Sequence, residues 1–495
     1  MQPYPGWNRI KLQNKILLMF LYSEREEKMN QKTEKKKAFR MPHVFIILLL
    51  IMLFVVILSY IIPSGSYERI VDATTGLSVI DPDTFQYVEN ENPIGFMDYF
   101  EAVYNGFVNG ATIMGTLFIC SGMIYLLEVS GAFGAAINLI LKKTKGREFS
   151  VVCIFYTIFV IFGVLGYGEA AYPFYPLAVT IGFALGYDRM VGTALAIIGS
   201  TVGFTSGLMN TFTTGVAQQI VGLPLFSGIG FRAVGLAIFY VIGLIGIYAY
   251  CRKIKKDPRR SFYSEEYMNQ NREDHTSGME NMTVSRALGI IIFLAVIVIQ
   301  GYGCIRLSWS FPQIAGLYVI MGIVLTIVFR FKPNEACQLF CKGAVRVFAA
   351  AFAVGLAQSV VVLMNQACIM DTIVHAMAVL LEHKGTVLAL LIIFIFVTLF
   401  NFLVVSGSGK AVIIMPILQP LGKILGINQQ VLVLAYQYGD GITNSFWPGS
   451  SLVQLSMCGV DYGSWIKFCW KIYLGFIVSA FILIMIAHSI GYGPF

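Results

Sequence analysis

Apolar segments separated by short polar stretches recur along almost the whole chain. Several of them reach or approach the roughly 20 residues that a helix needs to cross a hydrocarbon core about 30 Å thick. This pattern predicts an all-α polytopic membrane protein. The apolar segments are Val44–Ile62, Ala111–Leu127, Val151–Val164, Ala233–Tyr250, Ile290–Val298, Ile314–Val328, Val387–Phe402 and Ile472–Ile486.

Composition supports this prediction and excludes a water-soluble globule. The 495 residues are 57% hydrophobic and only 13% charged, and the mean hydropathy is +0.73. A soluble domain of this size has too much surface to cover with so few polar side chains.

The distribution of charged residues among the loops indicates membrane topology rather than a nucleic-acid-binding surface. Residues 1–42 carry ten Lys/Arg against four acids, and residues 252–286 carry eight basic residues. Residues 63–98 hold seven acids and only Arg69. Because short loops rich in Lys/Arg stay in the cytoplasm, residues 1–42 and 252–286 are expected inside and residues 63–98 outside.

The same pattern predicts four parts of the chain. The apolar patch Ile16–Tyr22 is too short to span and precedes no small-residue cleavage site, so we do not expect a signal peptide; Met1, Met29 and Met41 stay open as start positions. The expected parts are a cytoplasmic basic tail (1–42), a first transmembrane repeat (43–251), a cytoplasmic linker (252–286) and a second transmembrane repeat (287–495).

The division into two transmembrane repeats is based on an internal sequence repeat. Residues 161–200 align with residues 401–440 without a gap, with nine identical positions, of which glycine and proline supply four. Fixed-offset self-similarity is typical of duplicated architecture. The basic turn at 142–147 places the start of the first copy inside, and three crossings after residue 286 place residues 382–385 outside. The two copies are therefore expected to have inverted topology, as in many secondary transporters.

Each copy contains two polar or glycine-rich interruptions at matching places. The first, at 166–170 and 406–410, predicts the tip of a re-entrant hairpin. The second, at 199–207 and from Gly439 onwards, predicts a discontinuous transmembrane helix. Unwound backbone at membrane depth is tolerated only where it lines protein or a wet cavity, so the four breaks are expected to converge on one central binding chamber.

Each expected hairpin tip contains one charged residue, and in the alignment of the two repeats these residues lie one position apart. Lys410 is a candidate to receive a substrate carboxylate. Glu169 is a candidate to bind a substrate amine, to pair with Lys410 or to titrate as a coupling proton site. A charged group within a span is functional by default, and the alternative is a structural ion pair between the tips.

The oxygens beside the helix breaks suit a hard cation such as Na⁺ or hydrogen bonds to a substrate. Any single Ser or Thr hydroxyl in a helix commonly bonds a carbonyl of the preceding turn instead. The substrate-binding candidates are Gly168, Glu169, Ser406, Gly407, Ser408, Lys410, Asp440, Thr443 and Asn444, and the coupling-ion candidates are Glu169, Thr201, Ser206, Asn210, Asp440 and Ser445.

Other chemistries find little support in the sequence. The nine cysteines are scattered, no CxxC pair occurs, and Cys337 and Cys341 lie beside no histidine cluster, so no metal site is expected. The stretch 405–411 lacks the first glycine and the Ser/Thr of a phosphate-binding loop. Neither GxSxG nor HExxH is present. No cofactor is expected beyond a coupling Na⁺ or H⁺.

Three stretches resemble a known transporter family. They are "MPHVFIILLLIMLFVVILSYIIPSGSYER" (41–69), "SGSGKAVIIMPILQPLG" (406–422) and "QYGDGITNSFWPGSS" (437–451), and they are similar to the anaerobic four-carbon dicarboxylate carrier family, in particular its YfcC-like branch. The resemblance implies inverted repeats, each with a re-entrant hairpin and a discontinuous helix. It also implies a multi-pass secondary carrier in the cytoplasmic membrane of a prokaryote, with the bilayer around it, in some relatives as a homodimer.

The substrate class stays open between small carboxylates, dicarboxylates included, and amino acids. Sodium-coupled relatives carry a Ser-Asn-Thr tip in each hairpin, whereas this chain has Gly168-Glu169-Ala170 and the stretch 406–410. The expected function is ion-coupled or exchange transport of a small organic anion or amino acid by alternating access. The alternatives are a passive channel for small organic anions and a membrane-embedded enzyme, for which no clustered nucleophile and base are found.

Overall fold

The computed structural model describes residues 42–71, 78–89, 93–143, 148–270, 281–307, 309–381 and 384–493. The expected basic tail, most of the turn at 142–147 and part of the linker lie outside these residues. Within the described part, seven helices are long and apolar enough to cross a membrane. They are Val44–Ile61, Phe96–Val129, Ile229–Lys256, Val284–Gly303, Phe311–Val328, Phe348–Gln366 and Tyr462–Ser489. The chain is an all-α polytopic membrane protein, as the sequence predicts.

The first half begins with one span and a small β segment, followed by helices. The strands form two antiparallel pairs, β1 with β4 and β2 with β3. The elements are α1 (Val44–Ile61), β1 (Gly65–Ser66), β2 (Arg69–Val71), β3 (Ser78–Ile80), β4 (Gln86–Tyr87), α2 (Phe96–Val129), α3 (Ala132–Lys143), α4 (Glu148–Val164), a 3₁₀ helix (Gly168–Phe174), α5 (Tyr175–Ala184), α6 (Arg189–Ser206), a π turn (Thr211–Gly215), α7 (Val216–Ile220) and α8 (Ile229–Lys256).

The second half is helical throughout the part that the structure describes. Two short 3₁₀ turns, Pro82–Thr84 and Pro258–Arg260, precede it in the chain. The remaining elements are α9 (Ser264–Gln270), α10 (Val284–Arg306), α11 (Phe311–Val328), α12 (Pro333–Arg346), α13 (Phe348–Gln366), α14 (Met370–Leu381), α15 (Thr386–Phe400), α16 (Gly407–Ile424), α17 (Gln429–Thr443), α18 (Pro448–Cys458) and α19 (Tyr462–Ser489).

The repeat is visible in the backbone where each hairpin ends. Leu185 follows α5 with φ −82° and ψ 2°, and Leu425 follows α16 with the same two angles. The next residues, Gly186 and Gly426, adopt left-handed φ values of 73° and 66°. Glycine takes this conformation without the steric cost of a Cβ, and it commonly ends helices in this way. The identical glycines 240 residues apart therefore perform the same structural task.

Contacts between the halves are reciprocal, as expected for two copies related by a pseudo-two-fold axis. Equivalent helices pack on each other: α2 on α13, α6 on α17 and α8 on α19. Non-equivalent contacts come in swapped pairs, with α5 on α18 and α7 on α16. Each half therefore completes the core of the other.

The final turns of the two hairpins lie at opposite ends of the molecule. Helix α8 has 28 residues and is about 42 Å long. At its end near Lys256, Tyr267 donates to the carbonyl of Gly186, at 3.2 Å, beside the close of the first hairpin. At its other end, Arg232 donates to Gln430, at 3.3 Å, just after the close of the second hairpin. The repeats therefore have inverted orientation.

We name the two ends of the molecule after these elements. The basic face is the end that carries Lys253, Lys255 and Lys256 at the C-terminus of α8. The strand face is the opposite end, where β1 lies: Gly65 donates to the carbonyl of Cys368, and α14 leads from there to Thr386, which donates to the carbonyl of Leu425.

The helix breaks differ in position from the sequence prediction. Helix α6 continues through Gly199 and Gly203 and ends at Ser206, so the first discontinuous helix unwinds at 207–210. A Cβ on Gly203 would collide with the carbonyl oxygen of Val160 in α4. These glycines allow two helices to approach closely, which is the usual role of small residues in membrane helix packing. The prediction of unwinding from residue 199 is wrong for this reason.

The second break is also shorter than expected. Helix α17 continues through Gly439 and Asp440 to Thr443, and α18 begins at Pro448. Gly439 faces the backbone of α15, with Phe394 O at 3.1 Å from a Cβ placed there. In the second hairpin, Ser406 caps α16 by accepting from the amide of Gly409 at 3.1 Å. Lys410 therefore lies in the first helical turn and not in an unwound tip.

The close approach of α4 and α6 leads to a stability prediction. Gly203→Ala is expected to lower the thermal unfolding midpoint in detergent, because the new methyl group meets backbone that cannot move aside. Gly316→Ala is the control, since Gly316 lies in α11 with nothing within 4 Å of its Cβ position. There the change is expected to be neutral or to stabilise by about 0.5–1 kcal/mol. Equal midpoints for the two variants would contradict the packing role of Gly203.

Candidate functional site

A cavity of about 600 Å³ lies where the four breaks meet. Its lining includes the start of the first hairpin's return segment, the N-terminus of α16, and residues beside both discontinuous helices. The lining residues from these breaks are Gly166, Tyr167, Gly168, Glu169, Ala170, Ala171, Tyr172, Ser200, Thr201, Phe204, Thr213, Val404, Val405, Ser406, Gly407, Ser408, Gly409, Gly441, Asn444, Ser445, Gly449 and Ser450. The convergence expected from the sequence is present in the structure.

The cavity extends towards the strand face. Beyond the breaks it is lined by α13 as far as Asn365, by Met370 at the start of α14, and by Arg69 and Ile80 of the β segment. Its described lining residues do not include Arg189 or Asp461, which lie at the basic face. Arg189 is at the start of α6, after the first hairpin, and Asp461 directly precedes α19. The described lining of the cavity thus extends to the β segment at the strand face.

A buried ion pair lies directly behind the cavity wall. Lys410 Nζ is 2.5 Å from Asp440 Oδ1, and both side chains are fully buried. Lys410 also donates to Asn401 Oδ1. Burying a charge without a partner costs several kcal/mol, so the carboxylate of α17 and the ammonium of α16 each require the other.

Asn401 fixes the position of this pair. It follows the last residue of α15, and its amide nitrogen donates to the carbonyl of Asp440 and to Thr443 Oγ1, both at 2.9 Å. Asn444 donates to Asp440 Oδ2 at 3.3 Å. Three helices, α15, α16 and α17, are therefore joined by one polar cluster, in which every charged atom contacts a polar partner.

The pairing of Lys410 differs from the pairing proposed on sequence grounds. Its partner is Asp440 and not Glu169, because Lys410 lies in the first turn of α16 beside the last turn of α17. A lysine in the first turn of a helix opposes the helix dipole, and the Asp440 carboxylate offsets this. Lys410 and Asp440 do not line the cavity, so neither is positioned to contact a substrate directly in this conformation.

Glu169 is placed differently from Lys410. It lies in the 3₁₀ helix Gly168–Phe174, is half-buried and lines the cavity. The described lining includes two charged side chains, Glu169 near the breaks and Arg69 towards the strand face. Arg69 is bound to Asp371 at 3.0 Å. Glu169 is therefore the charged group that the inner part of the cavity presents to a ligand.

The other candidate residues divide into two sets. Gly168, Ser406, Gly407, Ser408 and Asn444 line the cavity, as do Thr201 and Ser445, whose hydroxyls are 2.8 Å apart. Thr443, Ser206 and Asn210 lie behind the wall: Thr443 donates to Gly439 O at 2.8 Å, Ser206 donates to Gly203 O at 2.6 Å, and Asn210 accepts from the amide of Thr213 at 3.2 Å.

Sequence reasoning missed several polar residues of this region. Asn401 gave a signal, since it is an amide at the end of an almost entirely apolar helix, directly before a break. Tyr436 donates to the carbonyl of Gly407 and Gln454 donates to Tyr172 Oη at 3.3 Å. Such residues lie within ordinary helical sequence, so only the fold places them at the site.

The described residues contain no group of three His, Cys, Asp or Glu that is arranged to hold a metal ion. Cys337 and Cys341 are exposed on α12.

Comparisons with known proteins agree with the transporter architecture. The family model for the C4-dicarboxylate anaerobic carrier matches residues 41–489. An uncharacterised protein of Haemophilus influenzae is 30% identical over 486 residues, which cover 88% of this chain and 94% of that protein. The Escherichia coli protein named "Putative basic amino acid antiporter YfcC" is 30% identical over 485 residues, with the same coverage.

Two solved membrane proteins match this chain over most of its length. One is MtrF of Neisseria gonorrhoeae, described as one of a class of antimetabolite efflux pumps, with a TM-score of 0.45 and 18% identity over 92% of this chain and 96% of that chain. The other is the YdaH transporter of Alcanivorax borkumensis, with a TM-score of 0.43 and 15% identity over 92% of this chain and 100% of that chain.

The buried pair leads to a stability prediction. Lys410→Met and Asp440→Asn each leave the partner buried in a site built for two opposite charges, so each is expected to cost about 3–5 kcal/mol of unfolding free energy. The double variant is expected to cost less than either single variant, because it buries no unpaired charge. Chemical unfolding of the purified protein in detergent measures the three changes.

An exposed ion pair provides the control. Arg346 and Glu128 are 2.8 Å apart, with side chains 48% and 40% exposed, and Arg346→Met is expected to cost less than about 1 kcal/mol. Additive costs in the Lys410/Asp440 double variant, or a cost similar to that of Arg346→Met, would show that the buried pair is not coupled as described.

Proposed function

The chain belongs to the C4-dicarboxylate anaerobic carrier family, and from this premise we propose that it is a secondary active transporter. It moves small carboxylates or amino acids across the cytoplasmic membrane of a prokaryote by alternating access, coupled to an ion or to exchange of a second substrate. The observation that carries the proposal is the cavity in which the breaks of both inverted repeats meet.

The shape of the cavity favours a carrier over a channel. A channel needs a continuous path between the two faces. The described lining reaches Arg69 and Asn365 towards the strand face, whereas the contacts of the basic face lie outside it. In a carrier, the same site opens first to one side and then to the other, and inverted repeats provide two such states because each copy can adopt the conformation of the other.

The lining favours a ligand that carries both an amine and a carboxylate. Glu169 offers a negative charge to an ammonium group. The first-turn amides of Gly407 and Ser408 belong to the N-terminus of α16, where backbone N–H groups lack helical partners and attract anions. Beside them Thr213 is buried and lines the cavity, and its hydroxyl has no hydrogen-bond partner among the described residues. A dicarboxylate would place one of its charges near Glu169, so we favour amino acids within the proposed range.

The name of the Escherichia coli relative, "Putative basic amino acid antiporter YfcC", is in line with an amino-acid substrate and with exchange. Glu169 is then the residue that binds the substrate amine, and a proton on Glu169 is the candidate for coupling when the amine is absent.

Orientation follows from charge. Because basic loops stay in the cytoplasm, the basic face is proposed to be cytoplasmic and the strand face external, so that this conformation is open to the outside. We expect an impermeant maleimide added to intact cells to label a Glu68→Cys, Cys368→Ser variant. Cys337 and Cys341, exposed on α12, are expected to react only after the cells are permeabilised. The reverse labelling pattern would invert the proposed orientation.

Transport itself is tested in proteoliposomes. Counterflow of labelled amino acids, dicarboxylates and monocarboxylates is measured, with Na⁺ and pH gradients imposed separately. Saturable uptake that an internal substrate or an ion gradient drives against the concentration gradient is expected. Flux that never saturates and does not respond to any counter-gradient would indicate a channel instead.

Glu169→Gln tests the proposed ligand geometry. Loss of a charged hydrogen bond to the amine is worth about 1.5–3 kcal/mol, so the apparent affinity for an amino acid is expected to fall by roughly tenfold to a hundredfold. The control is Glu335→Gln, on the exposed surface of α12, which is expected to leave uptake unchanged. Undiminished amino-acid uptake by Glu169→Gln would remove Glu169 from the substrate site.

A further inference from the structure

We propose that the ammonium group of Lys410 occupies a cation site in place of a free sodium ion, so that this protein binds no Na⁺ between α16 and α17. The inference deepens the proposed function, since it states which coupling ion this site does not use. The binding test below does not depend on whether transport is observed.

The atoms around Lys410 Nζ are those of a hard-cation site. A carboxylate oxygen, Asp440 Oδ1, lies 2.5 Å away, and the amide oxygen of Asn401 accepts from the same nitrogen. Oxygen atoms of carboxylates, amides and carbonyls are the ligands that hard cations select. The lysine ammonium is a compact point charge with three donors and no acceptor, and here it contacts oxygens as an ion would.

The location within the fold is also that of an ion site. In inverted-repeat transporters, sodium is bound where half-helices end near the middle of the membrane, with the C-terminal end of a half-helix directed at the ion. Lys410 lies in the first turn of α16, and Asp440 lies in the last turn of α17 before the break at 444–447. The carbonyl end of α17 carries partial negative charge, which favours a cation at this point.

The ion pair is sealed and carries no net charge. Lys410 and Asp440 are both fully buried, and one positive charge faces one negative charge. A sodium ion added to this arrangement would bring a second positive charge to a single carboxylate and would find the space occupied. The lysine therefore excludes the ion by charge and by volume.

The first repeat has neither member of the pair. At the 240-residue offset, Ala170 corresponds to Lys410 and Ser200 corresponds to Asp440. If these positions served packing alone, the two copies would not need to differ by a buried ion pair. The pair instead replaces an ion at one of the two breaks, and the two equivalent positions of the first repeat, Ala170 and Ser200, carry no carboxylate.

The consequence is testable, because removal of the tethered ammonium is expected to expose the site to free ions. Lys410→Ala keeps Asp440 and Asn401 but empties the position of the ammonium. The thermal unfolding midpoint of the purified variant in detergent is measured in NaCl and in choline chloride at equal ionic strength. A ligand that binds only the folded state raises the midpoint in a concentration-dependent manner, so Na⁺ is expected to stabilise Lys410→Ala with saturation.

Three proteins serve as controls. The wild type is expected to show no difference between Na⁺ and choline, because its site is filled. Lys410→Met is expected to show none either, because its side chain fills most of the same volume without a charge. The Lys410→Ala, Asp440→Asn double variant is expected to show none, because the carboxylate that attracts the ion is gone.

Two results would overturn the proposal. One is a folded Lys410→Ala variant with the same midpoint in Na⁺ and choline; the other is a wild type that Na⁺ stabilises as strongly as the variant. If Lys410→Ala is recovered only when purified in Na⁺, the proposal is supported. If it is recovered in neither salt while the double variant is recovered in both, Na⁺ does not replace the ammonium, and the proposal fails.

Discussion

The whole architecture depends on one constraint, which is that polar groups at membrane depth must find partners inside the protein. A helix that stops within the hydrocarbon region exposes amides and carbonyls, each of which costs several kcal/mol when unpaired. In the described part of this chain, α4, α6, α15 and α17 end beside one cavity, so that their four breaks face one another. The cavity, the buried ion pair and the reciprocal packing of the two halves all follow from that arrangement.

The constraint also explains why the two repeats differ in chemistry while they share a backbone. The left-handed glycines 186 and 426 give both hairpins the same closing turn. In the second repeat, the interior of the break contains Lys410, Asp440 and Asn401, which neutralise and bond one another. In the first, the hairpin presents the carboxylate of Glu169 to the cavity. Symmetry thus supplies the geometry of the chamber, and the departures from symmetry supply its charges.

Much of the fold could be predicted from the sequence, because apolar span length and repeated Gly and Pro positions are local signals. The exact function of each glycine could not. Gly199 and Gly203 have the same composition signature as a helix break, but they serve contact between α4 and α6, and only the neighbouring helix distinguishes the two roles. Glycine at 186 is different, since a positive φ there fixes its task regardless of neighbours.

The candidate site shows a similar limit. Lys410 and Glu169 attracted attention together because the repeat aligns them within one residue. Alignment between repeats, however, reports equivalence and not contact. The partner of Lys410 is set by the return of α16 beside the end of α17, thirty residues further along the chain, and by Asn401 between them. The tertiary packing is therefore needed to identify which polar residues pair at membrane depth. The presence of polar residues at that depth can be predicted from the sequence alone.

The basic face contains polar contacts that the described part of the linker makes with both repeats. Arg189, at the start of α6, bonds Glu266 of α9 at 2.5 Å and the carbonyl of Gly459 at 2.7 Å. Tyr263 donates to Asp461 at 2.9 Å, at the start of α19. The described linker residues thus join the end of the first hairpin to the junction of α18 and α19 in the second repeat. In the proposed alternating-access cycle, a passage to this face would require these contacts to separate, whereas the cavity already extends to Arg69 and Asn365 towards the strand face. The segment between the repeats therefore does more than connect them, since its described residues contact both repeats at the basic face.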